Sequence, residues 1–535
     1  MKILGIGGST HDYSFCLLEN GRVTRAVEEE RLSRNKHATD VKSKFFTGIS
    51  YCLENITIHD VDLIVSNDIV SESIQPDYDL HNIVRINHHL AHAASSYYMS
   101  GMSEAAILVL DAGGSYYGGK QETCSLGYAQ HEKIEFYKKY YQSSIAGFYQ
   151  IFTMICGFEY AQEGKLMGLA SYGKPTYVEA LKQYVDIAMP NRMKIAAMPN
   201  KLPTLSELEF CKDDRRDSFQ IRADIAYAVQ HVFEESLIKI LNYLYEQTKL
   251  KNLCYSGGGA LNSVSNGMIK KRTPFENVFV FPAAGDSGTS IGAALYAYHG
   301  LLKKPMQTKP MQSASYGKRY TKDDILTVLE RAKDSIEYKI VDDTELYKLV
   351  ARCISEGRIV GWFQDGSEFG PRALGFRSIL ADPRRKDMKD MLNSRVKFRE
   401  SFRPFAPVIL KNKVHNYFIT DHPDNPFMMF VGQVRPDKQQ AIPAVTHVDG
   451  TARLQTVNEH NNEKLYRLLK EVKKRTGIPI LINTSFNIKG EPIVETPNDA
   501  LQAFLNCDMD ILVIDHVLIK KQKKRADNDS VDMQK

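Results

Sequence analysis

The chain opens on an apolar stretch, "KILGIGG" (2–8). A polar turn, "STHDYS", interrupts it, and the apolar pattern resumes in "FCLLENGRVTRAV" (15–27). Asn20-Gly21 divides that second stretch, and this residue pair favours a tight hairpin. The expected start is therefore strand, turn, strand, turn, strand. The same device recurs further on: "AAILVLD" (105–111) is an apolar run, "AGGSYYGGK" a glycine-rich turn and "ETCSLGYA" a returning strand. "NLCYSGGGALN" (252–262) and "NVFVFPAAGDSGTSIGAAL" (277–295) each read as a strand, a glycine-rich loop and the start of a helix. In "INHHLAHAASSYYMSG" (86–101), Asn87 is placed to cap a helix opening at His88, and Gly101 to end it.

Residues Gly300–Lys318 carry two prolines among small polar residues and read as a linker. Beyond it, "RIVGWFQ" (358–364) and "IPILINTSFN" (478–487) read as buried strands, and "DILVIDHVLIKK" (510–521) as a last strand. The polar tail from 521 to 535 has no apolar period and is expected to lack structure. This predicts an α/β protein of two units, 1–310 and 311–520.

Composition narrows the class. A chain of 535 residues with 43% hydrophobic and 25% charged residues is ordinary for a globular protein with large cores. A net charge of +5 gives no support to a nucleic-acid binder. No run approaches the roughly 18 apolar residues of a membrane helix, and the N-terminus does not read as a signal peptide. Eight scattered cysteines without a C-x-x-C pair argue against a disulfide framework or zinc knuckle and fit a reducing cytoplasm.

Two groups of residues carry candidate chemistry. His88 and His92 are four apart, on one face of the expected helix, whereas His89 points about 100° away. Taken alone, such a histidine pair is more often structural than ligating. Asp111 and Asp286 each sit at a strand tip beside a glycine loop. Together the four suit Fe(II), Mn or Zn. The second half is rich in cations and amides: Arg372, Arg377, Asn393, Lys397, Arg399, Arg403, Arg453, Asn483, Ser485 and Asn487. Guanidinium forks bind phosphate oxygens bidentately. A charged helix followed by a loop would explain part of this set equally well, but the apolar "FRPFAPVIL" suggests that the Arg403 end is partly buried.

The segments "GIGGSTHDYSFCLLENGRVTRAVEEERLSRNKH", "HHLAHAASSYY", "EGKLMGLASYG", "GGGALN" and "PAAGDSGTSIGAAL" resemble the O-carbamoyltransferases of the nodulation-factor and antibiotic-tailoring type. The resemblance runs over about residues 1–520. It implies an N-terminal duplicated ribonuclease-H-like domain of the sugar kinase and actin (ASKHA) class, followed by a YrdC-like α/β domain. It implies Fe(2+) on His88, His92, Asp111 and Asp286. Lys165 and the loop Gly257, Gly258, Gly259, Ala260, Leu261 and Asn262 would hold the nucleotide. His11 and Lys36 would act on the carbamoyl group, with His11 the general base, given an imidazole near its ordinary value of about 6.5. Arg372, Lys397, Arg403, Arg453, Asn483 and Ser485 would bind carbamoyl phosphate and ATP, with Mg(2+) on the triphosphate. The implied reaction makes carbamoyl-adenylate and transfers its carbamoyl group to a hydroxyl of a natural product or sugar. A small-molecule kinase, a tRNA threonylcarbamoyl-transferring enzyme and a non-enzymatic nucleotide-binding regulator are the alternatives. No nucleic-acid or membrane partner is implied. The chain departs from the family pattern at Ser171, often Pro, and at Phe376, often Asn.

Overall fold

The computed structural model describes residues 1–38, 47–70, 83–186, 194–195, 202–212, 214–306 and 309–522. The expected polar tail lies outside these residues apart from its first two, and Lys521 is the last residue of a strand.

The first sheet begins as the pattern predicts, with strands Lys2–Gly7, Ser14–Glu19 and Arg22–Glu28. Asn20 (φ 49°) and Gly21 (φ 80°) are both left-handed, as a type I′ hairpin requires. Strands Leu63–Asn67 and Val84–Ile86 complete the sheet, parallel to the first strand. By order of appearance the strands lie 3-2-1-4-5.

The second sheet repeats this plan with Glu104–Leu110, Lys120–Gln130, Lys133–Tyr141, Asn252–Ser256 and Asn277–Val280. Its first three strands are antiparallel and its last two parallel to the first, again in the order 3-2-1-4-5. Two copies of one connectivity make this half a duplicated ribonuclease-H-like fold. Helices His88–Ser100 and Thr289–Leu295 pack together beside the two sheets. The 31-residue helix Ser218–Thr248 covers the second sheet with an apolar face that includes Val229, Phe233, Leu237 and Leu241.

The remaining residues build a mixed eight-stranded sheet. In spatial order its strands are Ile336–Ile340, Val517–Lys521, Ile511–Ile514, Val360–Phe363, Arg377–Ala381, Ile480–Ser485, Ala406–Leu410 and Gln455–Val457. The stretch expected as one last strand is instead a hairpin. Asp515 (φ 49°) turns the chain between Ile511–Ile514 and Val517–Lys521. The apolar run crosses the sheet twice, and periodicity does not mark a reversal made by two residues. The linker is ordered on both sides: Met311 N–H donates to the Met99 carbonyl, and Tyr316 N–H to that of Ser367. Among the described residues no helix is long and apolar enough to cross a membrane.

Candidate active site and metal centre

The helix His88–Ser100 starts where the caps say it should. The Asn87 side chain accepts a 3.0 Å bond from Leu90 N–H, and Gly101 ends the helix at φ 72°. Asn87 Nδ2 also donates to Ser115 and Glu122, which ties the helix start to the second sheet. His88 and His92 therefore share a face, with their Nε2 atoms 3.0 Å apart. His92 Nε2 lies 3.1 Å from Asp111 and 3.5 Å from Asp286, and His88 Nε2 lies 3.6 and 3.4 Å from the same carboxylates. His89 turns away to Ser125 (2.8 Å) and Glu122 (3.3 Å).

Gly257 (φ 90°) passes so close to the strand bearing Asp111 that a Cβ would lie 2.3 Å from the Leu110 carbonyl oxygen. A side chain there would push the glycine loop off the cluster.

The donor set fits a divalent cation. Four donor atoms lie within 4.8 Å of one another, and Asp111 Oδ2 is a buried acceptor without a hydrogen-bond donor among the described residues. Two neutral nitrogens with two carboxylates suit Fe(II), Mn or Zn. The protein alone answers the same demand with a proton. Burial opposes protonation of His88, but Asp286 and Asp111 prevail and push it up to about 10. Burial alone would raise both carboxyls, but the imidazoles hold them below the usual carboxylate range. His89 goes the other way: burial drives it down to about 3, so it stays neutral.

His11 sits in the polar turn beside this cluster. That turn is held to the Asp286 turn by Gly8 N–H to Thr289 Oγ1 (3.0 Å) and by Asn67 Nδ2, which bonds both Gly8 and Thr289. His11 Nδ1 is 2.9 Å from Asp12 Oδ2, and Asp12 Oδ1 is 2.9 Å from His37 Nδ1. The expected ordinary imidazole needs correcting. Burial opposes protonation, but the bond to Asp12 and its charge, with Asp286 and Asp111 behind, push His11 up to about 9. Tyr160 and Asp12, its two partners, were not marked by any motif; an acid directly after the histidine was the one available signal. Lys36 is exposed at the start of the turn that carries His37. Asp12, Arg34, His37 and Ala38 all have positive φ (54°, 59°, 62° and 46°), a concentration of strained non-glycine backbone of the kind found at functional sites.

The cationic residues converge where the two halves meet. Arg372 Nη2 donates to the Leu261 carbonyl (3.0 Å), bringing the second half onto the glycine loop. Lys165 Nζ bonds Glu400 (3.0 Å), and Arg403 reaches the same carboxylate at 3.9 Å. Burial, then the charge of Arg403, lowers Arg372 to about 10 and Arg399 to about 9. Burial, with Arg372, Arg399 and Arg403, drives Arg453 far below its ordinary value. The Nε atoms of Arg372 and Arg453 are buried without acceptors among the described residues. Four guanidiniums near enough to lower one another's proton affinity, with Glu400 as their near carboxylate, make this junction strongly cationic.

Lys397 is buried against Ser485 and Asn487, bonding the Ser485 carbonyl and Asn487 Oδ1 (2.7 Å). Asn483 donates to Ala373 and Gln455, and its Oδ1 is left without a donor among the described residues. Two residues act differently from the reading of the sequence. Asn262 is engaged as a helix cap and with Gln230, so it shapes the loop. Arg377 donates to the Gln364 and Asp365 carbonyls and lies over Phe363, which makes it part of the core. Of the two departures, Phe376 is buried core, and Ser171 bonds the Gly168 carbonyl (2.9 Å) and approaches His447 (3.3 Å) across the halves.

A buried His/Asp cluster in the first half and a cationic group of the second half beside the glycine loop are the two features of the site. Comparison with known proteins supplies the family. Residues 2–79 and 73–295 match the carbamoyltransferase N-terminus model, and residues 351–521 match the carbamoyltransferase C-terminus model. The chain is 34% identical to nodulation protein NolNO of Sinorhizobium fredii, over 96% of this chain and 79% of that protein. It is also 34% identical to an uncharacterized protein of Synechocystis sp., over 97% and 96%. The crystal structure of full-length HypF in a phosphate- and nucleotide-bound form superimposes on 57% of this chain and 56% of its own, with a TM-score of 0.38 and 15% identity. This chain belongs to the carbamoyltransferase family.

Proposed function

We propose that the protein is an ATP-dependent O-carbamoyltransferase in which the halves split the reaction, residues 1–310 transferring and a YrdC-like unit of residues 311–520 activating. The observation that carries this reading is the half-buried group of Arg372, Arg399, Arg403 and Arg453, which has Glu400 as its near carboxylate and reaches the glycine loop through Arg372. Such a group suits a ligand with many phosphate oxygens, carbamoyl phosphate together with the Mg(2+) complex of ATP. Water releases phosphate from carbamoyl phosphate and leaves carbamate. A carbamate oxygen attacks the α-phosphorus of ATP, pyrophosphate leaves, and carbamoyl-adenylate forms. An acceptor hydroxyl then attacks the carbamoyl carbon, its proton passes to His11 Nε2, and the C–O bond to AMP breaks.

Asp12 orients His11 through Nδ1, the role an aspartate plays in aspartate–histidine pairs that abstract protons. Lys36 stands exposed in the neighbouring turn Lys36–Ala38, where its charge would face the carbamoyl oxygen. His88, His92, Asp111 and Asp286 would hold Fe(2+), which supplies Lewis-acid polarisation when bound. The acceptor class is a hydroxyl-bearing small molecule, a natural product or a sugar. A kinase of the same duplicated fold leaves the arginine cluster without a purpose.

The test is incubation with ATP and carbamoyl phosphate. Pyrophosphate release that depends on carbamoyl phosphate, with a mass matching carbamoyl-adenylate, supports the reading. Release that ignores carbamoyl phosphate refutes it.

A further inference from the structure

His11 has one free ring nitrogen, and it is covered. With Nδ1 committed to Asp12, only Nε2 can take a proton from an acceptor. The Tyr160 hydroxyl lies 2.8 Å from Nε2, with the two rings edge to face and their centroids 5.3 Å apart. Tyr160 lies in the turn between helices Ile145–Ile155 and Glu163–Ala170, beside Ala161 at φ 61°. Tyr160 is 44% exposed, so it can leave His11 toward solvent without opening the core. Burial pushes the phenol up to about 12, so the hydroxyl keeps its proton through the neutral range. In the neutral form that serves as base, His11 Nε2 accepts from Tyr160, and the lone pair is occupied.

We propose that Tyr160 is a guard on the base: its hydroxyl stands where the acceptor hydroxyl must bind, keeps water from being activated while carbamoyl-adenylate waits, and yields only to the acceptor. The inference rests on the carbamoyl-adenylate reading above. The chemistry explains the need. Carbamoyl-adenylate is a mixed anhydride, and a water molecule on Nε2 would lose its proton to His11, bond to the carbamoyl carbon and expel AMP. That loss consumes ATP without product. A phenol that keeps its proton through the neutral range is a weak nucleophile, so it can occupy Nε2 without attacking. Tyr160 is thus a positioning residue acting through His11, and it sets the acceptor requirement of the reaction.

The test needs no knowledge of the acceptor. Full-length wild type and Tyr160→Phe are supplied with ATP, Mg(2+), Fe(2+) and carbamoyl phosphate, and pyrophosphate and AMP are followed separately. The variant is expected to form the first equivalent of pyrophosphate at a rate within about twofold of wild type. Its AMP release without acceptor is expected to rise about tenfold or more, part of the roughly 10²–10⁴ that a general base contributes. The excess should disappear in Tyr160→Phe/His11→Asn and should grow with pH as His11 loses its proton. AMP release no higher than wild type overturns the guard, as does an excess that survives loss of His11. If wild type itself makes no pyrophosphate dependent on carbamoyl phosphate, the parent reading fails and the guard with it. Pyrophosphate from both proteins with no rise in AMP removes the guard alone.

Discussion

At the scale of single residues the site is an arrangement of protons and charges, and its tests are direct. His11 carries a proton at pH 7 because its pKa is raised to about 9, so the form able to accept one appears only as pH rises. Carbamoyl transfer should therefore climb with pH along a limb above the ordinary imidazole value of about 6.5. A cation among the four ligands would offset Asp111 and Asp286 and draw the limb down from about 9. Asp12→Asn removes the chief raising influence, so the limb should move lower while the plateau rate falls; a pH–rate profile of the second half-reaction reads both. Metal content sorts the histidines. His88→Ala, His92→Ala and Asp111→Ala should lose bound metal by elemental analysis, while His89→Ala should keep it, because His89 faces Ser125 and Glu122. Equal loss in all three histidine variants would sink that assignment. The arginine cluster should show the opposite balance of stability and function. Arg453→Met removes a charge repelled by three neighbours, so the free protein should gain about 1 kcal/mol. Inorganic pyrophosphate should raise the Tm of wild type and no longer that of the variant, as thermal unfolding would show.

At the scale of elements, local rules account for much of what was expected. Asn20-Gly21 sets the first hairpin because both residues must be left-handed, and Asn87 and Gly101 bound their helix because one supplies an acceptor and the other a free φ. Asn87→Ala should cost about 1 kcal/mol for the lost cap. Chemical denaturation should find a somewhat larger loss, because the bonds to Ser115 and Glu122 go too. Where the reading missed, the cause was also local. The apolar run 510–521 looks like one strand because an Asp-His pair does not announce a turn, yet Asp515 makes one. Asn262 carries a side chain fit for a ligand, but the helix Ser263–Asn266 needs a cap and takes it.

At the scale of the whole molecule, the halves are joined by buried polar contacts. Arg31 is 1% exposed; it pairs with Glu28 (2.8 Å) and donates to the Gly370 carbonyl (2.6 Å) in the other half. Arg34 donates to the Pro492 and Ile493 carbonyls, and Tyr51 donates to Glu495. Arg31→Ala leaves Glu28 buried without its partner and should cost about 3–5 kcal/mol, measured by denaturant titration of the full chain. The same junction sets what a sequence can and cannot say. By itself the sequence determined the elements, the two glycine-turn hairpins, the face shared by His88 and His92, and the family resemblance, because each depends on spacing, turn chemistry or residue type over a short stretch. Beyond the four residues the resemblance had grouped on one metal, only the tertiary structure decided which distant side chains meet: Tyr160 on His11, Asp12 on His37, and Arg372 on the glycine loop. Those meetings depend on how sheets stack and halves dock. They also shift proton affinities through burial and neighbouring charge, so the chemistry of His11 could not be assigned from its identity alone.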